Sequence, residues 1–248
     1  MGKLTLLEQV QELQTPVERG SVRENVADKL AGLIAGGILQ VGDTLPSERD
    51  LASAFQVSRV TVRGGIQILA TRGILGVSHG SRTRVLSAEV GPVPTVRRRK
   101  LIDAYDVHQV HAARLLLEQH VAREAALHIT PESVALLEEL IRVQRTAPDD
   151  PVRFLISDRE FHLLIYRSCG NAVLCDFVSD LYTYSMANRR RAIAEPGAIL
   201  QSCDEHAAIL EGLRAHDPAA TTRAFGLHLE RIYDTTIRIQ ELKQAAEA

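Results

Sequence analysis

Residues 46–70 constrain this chain more than any other stretch. Pro46-Ser47-Glu48-Arg49-Asp50 opens a short helix through Leu51, Ala52 and Phe55, Gln56-Val57 turns sharply, and Ser58 opens a second helix that runs to about Ala70. A serine at the start of a helix accepts a hydrogen bond from a backbone N–H of the first turn, and Asp50, three residues after Ser47, is the carboxylate counterpart of a capping box. Two helices this short need support. Residues 17–37 offer a third, with Val22, Val26, Leu30, Leu33 and Ile34 at helical spacing before Gly36-Gly37. After the pair, Gly73–Ser78, a turn at His79-Gly80 and Thr83–Leu86 read as strand, turn, strand. The expectation for 17–87 is a winged helix-turn-helix.

Residues 88–100 (AEVGPVPTVRRRK) mix proline, glycine and a basic run, which suits a linker. From Leu101 onward the apolar residues keep helical spacing. Breaks fall at Thr130-Pro131, Ala147–Pro151, Gly170-Asn171, Glu195–Gly197 and His216–Pro218. About six helices and no strand are expected, so the fold class is mainly α, with a winged helix-turn-helix at 17–87, a linker at 88–100 and an all-α bundle at 101–240.

Composition narrows the function classes. With 248 residues, 45% of them apolar, there is material for two ordinary cores. No apolar run approaches the roughly 20 residues that span a bilayer, and the first 16 residues lack the pattern of a signal peptide. Cys169, Cys175 and Cys203 form no CxxC and no even framework, so they read as reduced thiols of a cytoplasmic protein. The net charge of −2 hides a division: residues 1–100 carry 14 Lys+Arg against 9 Asp+Glu, and the remainder 15 against 22. A basic front half suits a polyanionic partner.

Short helices joined by a tight turn, the second rich in Arg and Thr, follow helix-turn-helix logic: the second helix enters the major groove and the wing touches the backbone. The run LPSERDLASAFQVSRVTVRGGIQILATRGIL…HGSRTRV resembles the GntR family of bacterial regulators. The resemblance implies contacts to double-stranded DNA from Arg49, Ser58, Arg59, Thr61, Arg63, His79 and Gly80. Arg59 carries a fork suited to guanine O6 and N7. Ser58 and Thr61 are short donors at a helix N-terminus, Arg49 and Arg63 can bridge phosphates or bases, and Gly80 lets a wing tip approach the sugar-phosphate backbone. Val60 stands where the family usually has Thr. Gly64-Gly65 replaces the usual Glu-Ala pair, although each glycine costs a helix interior about 1 kcal/mol relative to alanine.

In the C-terminal half, Asp158 and His162 are four residues apart, hence on one helix face, and His206 and His228 fall on two later helices. In a bundle such side chains can converge, and one carboxylate with three imidazoles suits a divalent transition ion: zinc first, nickel or manganese as alternatives. Eight histidines lie beyond residue 100, however, so spacing alone leaves ordinary core or surface roles open. The stretches Arg114–Glu118, Ser157–Ile165, Gly170–Leu174, Asp204–Ile209 and His228-Leu229 resemble the FadR-like subgroup and its FCD sensory domain. The resemblance implies that Asp158, His162, His206 and His228 hold a metal, that Arg114 faces the carboxylate of a small acid, and that the chain binds a pseudo-palindromic operator as a homodimer. It also argues against acyl thioesters, since members that bind them lack this quartet. Tyr182 and Tyr184 read as core, whereas Asn188 and Arg189–Arg191 cannot be assigned to pocket or surface. Two alternatives stay open: a regulator that senses the metal itself, and a helical metalloenzyme. Against the enzyme, the sequence offers no nucleophile elbow, no glycine-rich phosphate loop and no HExxH.

Overall fold

The computed structural model describes residues 21–77, 82–90, 104–184 and 186–247. His79 and Gly80, expected at the wing tip, lie outside these residues, as do most of the expected linker and positions 17–20 of the first expected helix.

Helix α1 (Val22–Ala35) starts at a reciprocal cap: the Ser21 side chain accepts from the Glu24 amide, and the Glu24 carboxylate accepts from the Ser21 amide at 2.5 Å. Helix α2 (Glu48–Phe55) is capped by Ser47, whose oxygen accepts from the Asp50 amide, and ends at Gln56 in the left-handed conformation, φ 54°. Helix α3 (Arg59–Thr71) is capped by Ser58 through the Thr61 amide. Leu30, Leu33, Leu51, Val62 and Leu69 are buried between the three helices. Val22, expected on the core face, is exposed; it sits in the first helical turn, outside this packing. The wing is shorter than expected. Strands β1 (Leu75–Gly76) and β2 (Arg84–Val85) pair antiparallel, Leu75 opposite Val85, and Thr44 adds an isolated bridge to Arg84.

The second glycine of the pair now has a physical reason. A Cβ on Gly65 would lie 2.6 Å from Val26 Cγ1 and 3.0 Å from the Ala27 backbone nitrogen, and a Cβ on Gly64 would lie 2.5 Å from Arg23 Cδ. Gly65 lets α3 approach α1 more closely than a side chain permits, which offsets its poor helix propensity, whereas at Gly64 only the flexible Arg23 side chain occupies the space.

Seven helices follow: α4 (Val107–His128), α5 (Pro131–Arg145), α6 (Pro151–Arg167), α7 (Ala172–Tyr182), α8 (Met186–Ile193), α9 (Ala198–Arg214) and α10 (Pro218–Glu247). Capping side chains from Asp106, Thr130, Asp150 and Asn171 start four of them. Helix α6 is central. Phe154–Asp158, Glu160–Leu163, Ile165 and Tyr166 are all buried, and α4, α5, α7 and α8 pack around it. Helix α10 runs along α4 and also against α9.

Among the described residues the count is seven helices rather than about six because α7 stops where no Gly or Pro marks a stop. Thr183 terminates it, the Thr183 hydroxyl donating to Asp180 O, while Arg189 from α8 donates to the exposed carbonyl of Tyr182. The stop is thus supported by an arginine of the following helix, which no Gly or Pro signal marks.

The glycine contacts generate a discriminating prediction. Gly65→Ala should destabilise the folded protein by about 1–3 kcal/mol, because the methyl meets a buried valine and backbone. Gly64→Ala should be neutral or stabilising by up to about 1 kcal/mol, because the flexible Arg23 side chain can move aside. Chemical denaturation of both variants checks this, and equal losses at the two positions would contradict it.

Candidate functional site: a recognition helix and a buried histidine cluster

On the N-terminal unit, Arg49, Ser58, Arg59, Val60 and Arg63 are exposed, so α3 offers one open polar side. Ser58 and Thr61 are partly committed already: their hydroxyl oxygens are 2.7 Å apart, and the Ser58 oxygen also caps the helix. Arg63 makes a two-pronged contact with Glu48 of α2, Nε to Oε1 at 2.9 Å and Nη2 to Oε2 at 2.7 Å. The hydrogen bond from Arg63 holds the Glu48 carboxyl below its usual range. Glu48 therefore orients the Arg63 guanidinium, a role that no spacing in the sequence reveals.

In the sensory half the structure brings the expected quartet together. Asp158 and His162 from α6, His206 from α9 and His228 from α10 are all buried. One ligand atom from each of the three imidazoles falls within 4.8 Å of the others. Asp158 Oδ1 lies 3.2 Å from His206 Nε2 and 3.6 Å from His162 Nε2. The outer faces of two rings are anchored: Gln144 Oε1 is 2.9 Å from His206 Nδ1, and Glu205 Oε2 is 2.7 Å from His228 Nδ1. With those oxygens accepting, each ring carries its proton on Nδ1 and turns the lone pair of Nε2 toward the cluster, the arrangement that second-sphere partners impose on metal-binding imidazoles.

The inner atoms have no hydrogen-bond partner of their own. Among the described residues, His162 Nδ1 and Nε2, His206 Nε2 and His228 Nε2 are buried without one. Buried unpaired nitrogens are costly, and converging lone pairs repel unless a cation lies between them. Burial lowers the pKa of His162, and burial with the neighbouring His206 and His162 rings lowers that of His228 further, so both are neutral, as ligands must be. Burial alone would raise Asp158, but His162, His206 and Arg189 overcome it and hold the carboxyl well below its usual range. A carboxylate and three imidazole nitrogens fit a divalent transition ion such as zinc.

Two residues complete the site that the sequence did not assign to it. The Tyr182 hydroxyl donates to Asp158 Oδ2 at 2.5 Å, and Arg189 Nη2 donates to the same oxygen at 3.1 Å. Tyr182 is buried, as expected of a core residue, yet its polar end belongs to the cluster. Arg189 is the member of the arginine run that faces the site; Arg191 is exposed.

Beside the cluster opens a small pocket, lined by Asp158, His228, Arg189, Arg231, Ser202 and Phe154 among others. A second small pocket shares Arg189, Ile232 and Thr236 with it and adds His111, Arg114 and Tyr233. Arg114 thus borders the second compartment. Its Nε donates to Glu118 at 2.6 Å, while its buried Nη2 has no partner.

A three-helix unit with an exposed Arg-bearing recognition helix, joined to a helical bundle with a donor cluster beside a cationic cavity, defines a DNA-binding regulator with a ligand-sensing domain. Residues 22–85 match the family described as bacterial regulatory proteins, gntR family, and residues 109–231 match the FCD domain. The solved GntR protein of Streptococcus agalactiae is 30% identical, covering 86% of this chain and 99% of its own, with a TM-score of 0.45. The HTH-type transcriptional repressor NanR of Escherichia coli K12 is 28% identical over 228 residues, 89% of this chain and 86% of that protein. The Escherichia coli protein McbR/YncC shares the fold, with a TM-score of 0.56 at 18% identity over 89% of this chain and 99% of its own. The chain belongs to the GntR family of bacterial regulators and fits the FadR-like subgroup with an FCD domain. The relatives are regulators, and the enzyme alternative falls away.

The depressed histidines set a pH dependence. Between the folded-state pKa and the value near 6.5 of a free imidazole, the unfolded chain binds more protons, so stability falls as pH drops below about 6.5. The loss is at most about 1.4 kcal/mol per pH unit for each ring. Asp158, also depressed, acts only below 3.8, outside this window. Chelator-treated protein should melt at a clearly lower temperature at pH 5.5 than at pH 7.5, and His228→Gln should flatten that difference. Identical melting at the two pH values would mean that the rings are already protonated or solvated.

Proposed function

We propose that this chain is a cytoplasmic, ligand-responsive transcriptional repressor that binds a pseudo-palindromic operator as a homodimer and senses a small carboxylate at a metal held by Asp158, His162, His206 and His228. The observation that carries the reading is the convergence of unpartnered imidazole nitrogens beside a small pocket rimmed by Arg189 and Arg231. An ion there would neutralise Asp158 and leave net positive charge. A carboxylate could then bind the ion and the guanidinium side chains together, with the unpartnered Arg114 Nη2 offering a further anchor from the adjoining compartment. The Asp158/His set suits zinc first, with nickel or manganese as alternatives.

The domain limits we propose are 17–87 for the DNA-binding unit, 88–100 for the linker and 101–240 for the sensory unit. Arg49, Ser58, Arg59, Thr61 and Arg63 would read or grip DNA, with His79 and Gly80 at the wing tip. Curated relatives named as transcriptional repressors support that sign of regulation. Among the described residues no helix is long and apolar enough to cross a membrane. Leu116 on α4 and Leu227 on α10, 74% and 72% exposed on two helices that pack side by side, are apolar surface that a second copy would cover.

Elemental analysis of protein purified without an affinity-tag metal or chelator should give about one ion per chain. The double variant His206→Ala, His228→Ala should lose the ion and the response to added acids but keep basal operator binding. A double variant that responds normally would remove the metal from sensing. DNA binding that follows the ion with no acid present would make the metal itself the signal.

Arg59→Ala should abolish specific operator binding without loss of fold. A good bidentate base contact is worth about 1–3 kcal/mol, and a dimer loses it twice. Unchanged affinity in a gel-shift titration would take Arg59 out of the readout.

A further inference from the structure

Two neighbouring arginines on α8 face two different parts of the molecule. Arg189 points into the sensory site, with Asp158 Oδ2 at 3.1 Å and the Tyr182 carbonyl at 3.1 Å, and its guanidinium carbon lies 4.3 Å from the Tyr182 ring centroid. Arg190 points the other way, into the DNA-binding unit. Its Nη1 donates to the Ile38 carbonyl at 2.5 Å and to Asp43 Oδ2 at 2.9 Å, and its Nη2 to Asp43 Oδ1 at 3.1 Å.

The segment that Arg190 grips is the base of the wing. Asp43 O accepts from the Val85 amide at 3.0 Å, the Gly42 amide donates to Val85 O at 2.9 Å, and the Leu45 amide donates to Thr83 O at 2.8 Å. Asp43 Oδ2 also accepts from the Gln40 amide at 2.7 Å. One guanidinium on the sensory domain thus holds the loop on which strand β2 is registered.

Two further ion pairs cross between the units. Lys29 of α1 meets Glu160 at 2.5 Å, and Asp50 of α2 meets Arg153 at 3.2 Å; both sensory-domain partners belong to α6, the helix that carries Asp158 and His162. These pairs attach the DNA-binding unit to a long, fully packed helix. The Arg190 contact attaches it instead to an eight-residue helix held in the bundle by the buried Met186 and Ile193 and by the Arg189 contacts to Asp158 and Tyr182.

We propose that α8 is a latch that couples the sensory site to the wing: Arg189 reports whether Asp158 is available as its partner, and Arg190 holds or releases the loop at 38–45. The inference rests on the sensory reading above and assigns its route of regulation. A cation bound among the histidines draws on the charge of Asp158 and repels the Arg189 guanidinium, and an anionic effector competes with Asp158 for the same guanidinium. Either event removes the polar tie of α8 and leaves Met186 and Ile193 as the apolar anchors about which the helix can shift. Because the two arginines are consecutive on one short helix, Arg189 cannot be displaced far without changing the aim of Arg190. The two α6 pairs stay in place and act as the pivot. Signalling needs such a two-position element, biased by the ligand because the ligand binds its two arrangements unequally.

The test uses the full-length protein and amide hydrogen exchange read separately in segments 38–45 and 83–86, with the α1/α3 core as the control for folding. In chelator, Arg190→Gln should speed exchange in 38–45 several-fold while the core stays protected. Arg189→Gln, which touches no residue of the DNA-binding unit, should do the same. The double variant Arg189→Gln, Arg190→Gln should add little to either single one, because both act on one latch. Zinc added to the wild type should raise exchange in 38–45, and zinc added to Arg190→Gln should raise it no further, although calorimetry finds zinc bound with unchanged affinity. Wild-type protection of 38–45 in Arg189→Gln, or simple addition of the two effects, overturns the latch even where zinc binds. Failure of zinc to bind, with the non-additivity intact, overturns the metal reading and supports the latch.

Discussion

The sensory half of the molecule is organised around the carboxylate of Asp158, buried at the middle of the central helix. An ionised carboxylate in such surroundings survives only with partners close on every side. The Tyr182 hydroxyl and the Arg189 guanidinium donate to it, and the His162 and His206 rings lie 3.6 and 3.2 Å away. The demand shapes the chain around it. Arg189 reaches Asp158 only because α7 ends at Tyr182 and the next helix sets off separately, and the same arginine satisfies the carbonyl that this ending exposes. One charge thus accounts for a helix break, a buried arginine and a tyrosine turned inward. A hydrophobic residue at 158 would relieve all three requirements. Their retention is understandable if the charge serves a ligand.

The histidines follow the same logic one layer further out. Gln144 and Glu205 fix the outer nitrogens of His206 and His228, and Arg231 in turn bonds Glu205 and the Ser202 hydroxyl. Each ring is held by its far side so that its near side is presented inward. The N-terminal unit uses a related device, with Glu48 holding Arg63 in a fixed fork on the exposed face. In both places a carboxylate sets the aim of a side chain for which a ligand contact is proposed.

Legibility in the sequence tracked the range of the interaction. Caps act over three residues, so Ser47 and Ser58 could be read directly, and they bracket α2 and α3 as expected. The breaks marked by Pro, Gly or Asn were readable for the same reason. The pairing of Asp158 with His162 was legible as one helical turn, and the joining of His206 and His228 to it needed the family resemblance. What spacing could not carry was contact between distant segments: the approach of α1 that makes Gly65 useful, the Tyr182 and Arg189 contacts to Asp158, and the unmarked end of α7. A tyrosine in an apolar helix looks like core whether or not its hydroxyl has a task, and three consecutive arginines look alike until the fold separates them.

That separation bears on how a sensory domain can act on a domain with its own core. Ion pairs between the two units draw on Lys29, Asp43 and Asp50 on one side and Glu160, Arg153 and Arg190 on the other. Partly exposed ion pairs are individually weak, often below about 1 kcal/mol. A few of them can hold an orientation without making it irreversible, which a dry apolar seam of similar extent would tend to do. A regulator must place its two arrangements within a few kcal/mol of each other, because the differential affinity of a small ligand supplies no more than that. Weak charged contacts, one of them continuous with a buried carboxylate at the ligand site, meet that energetic condition.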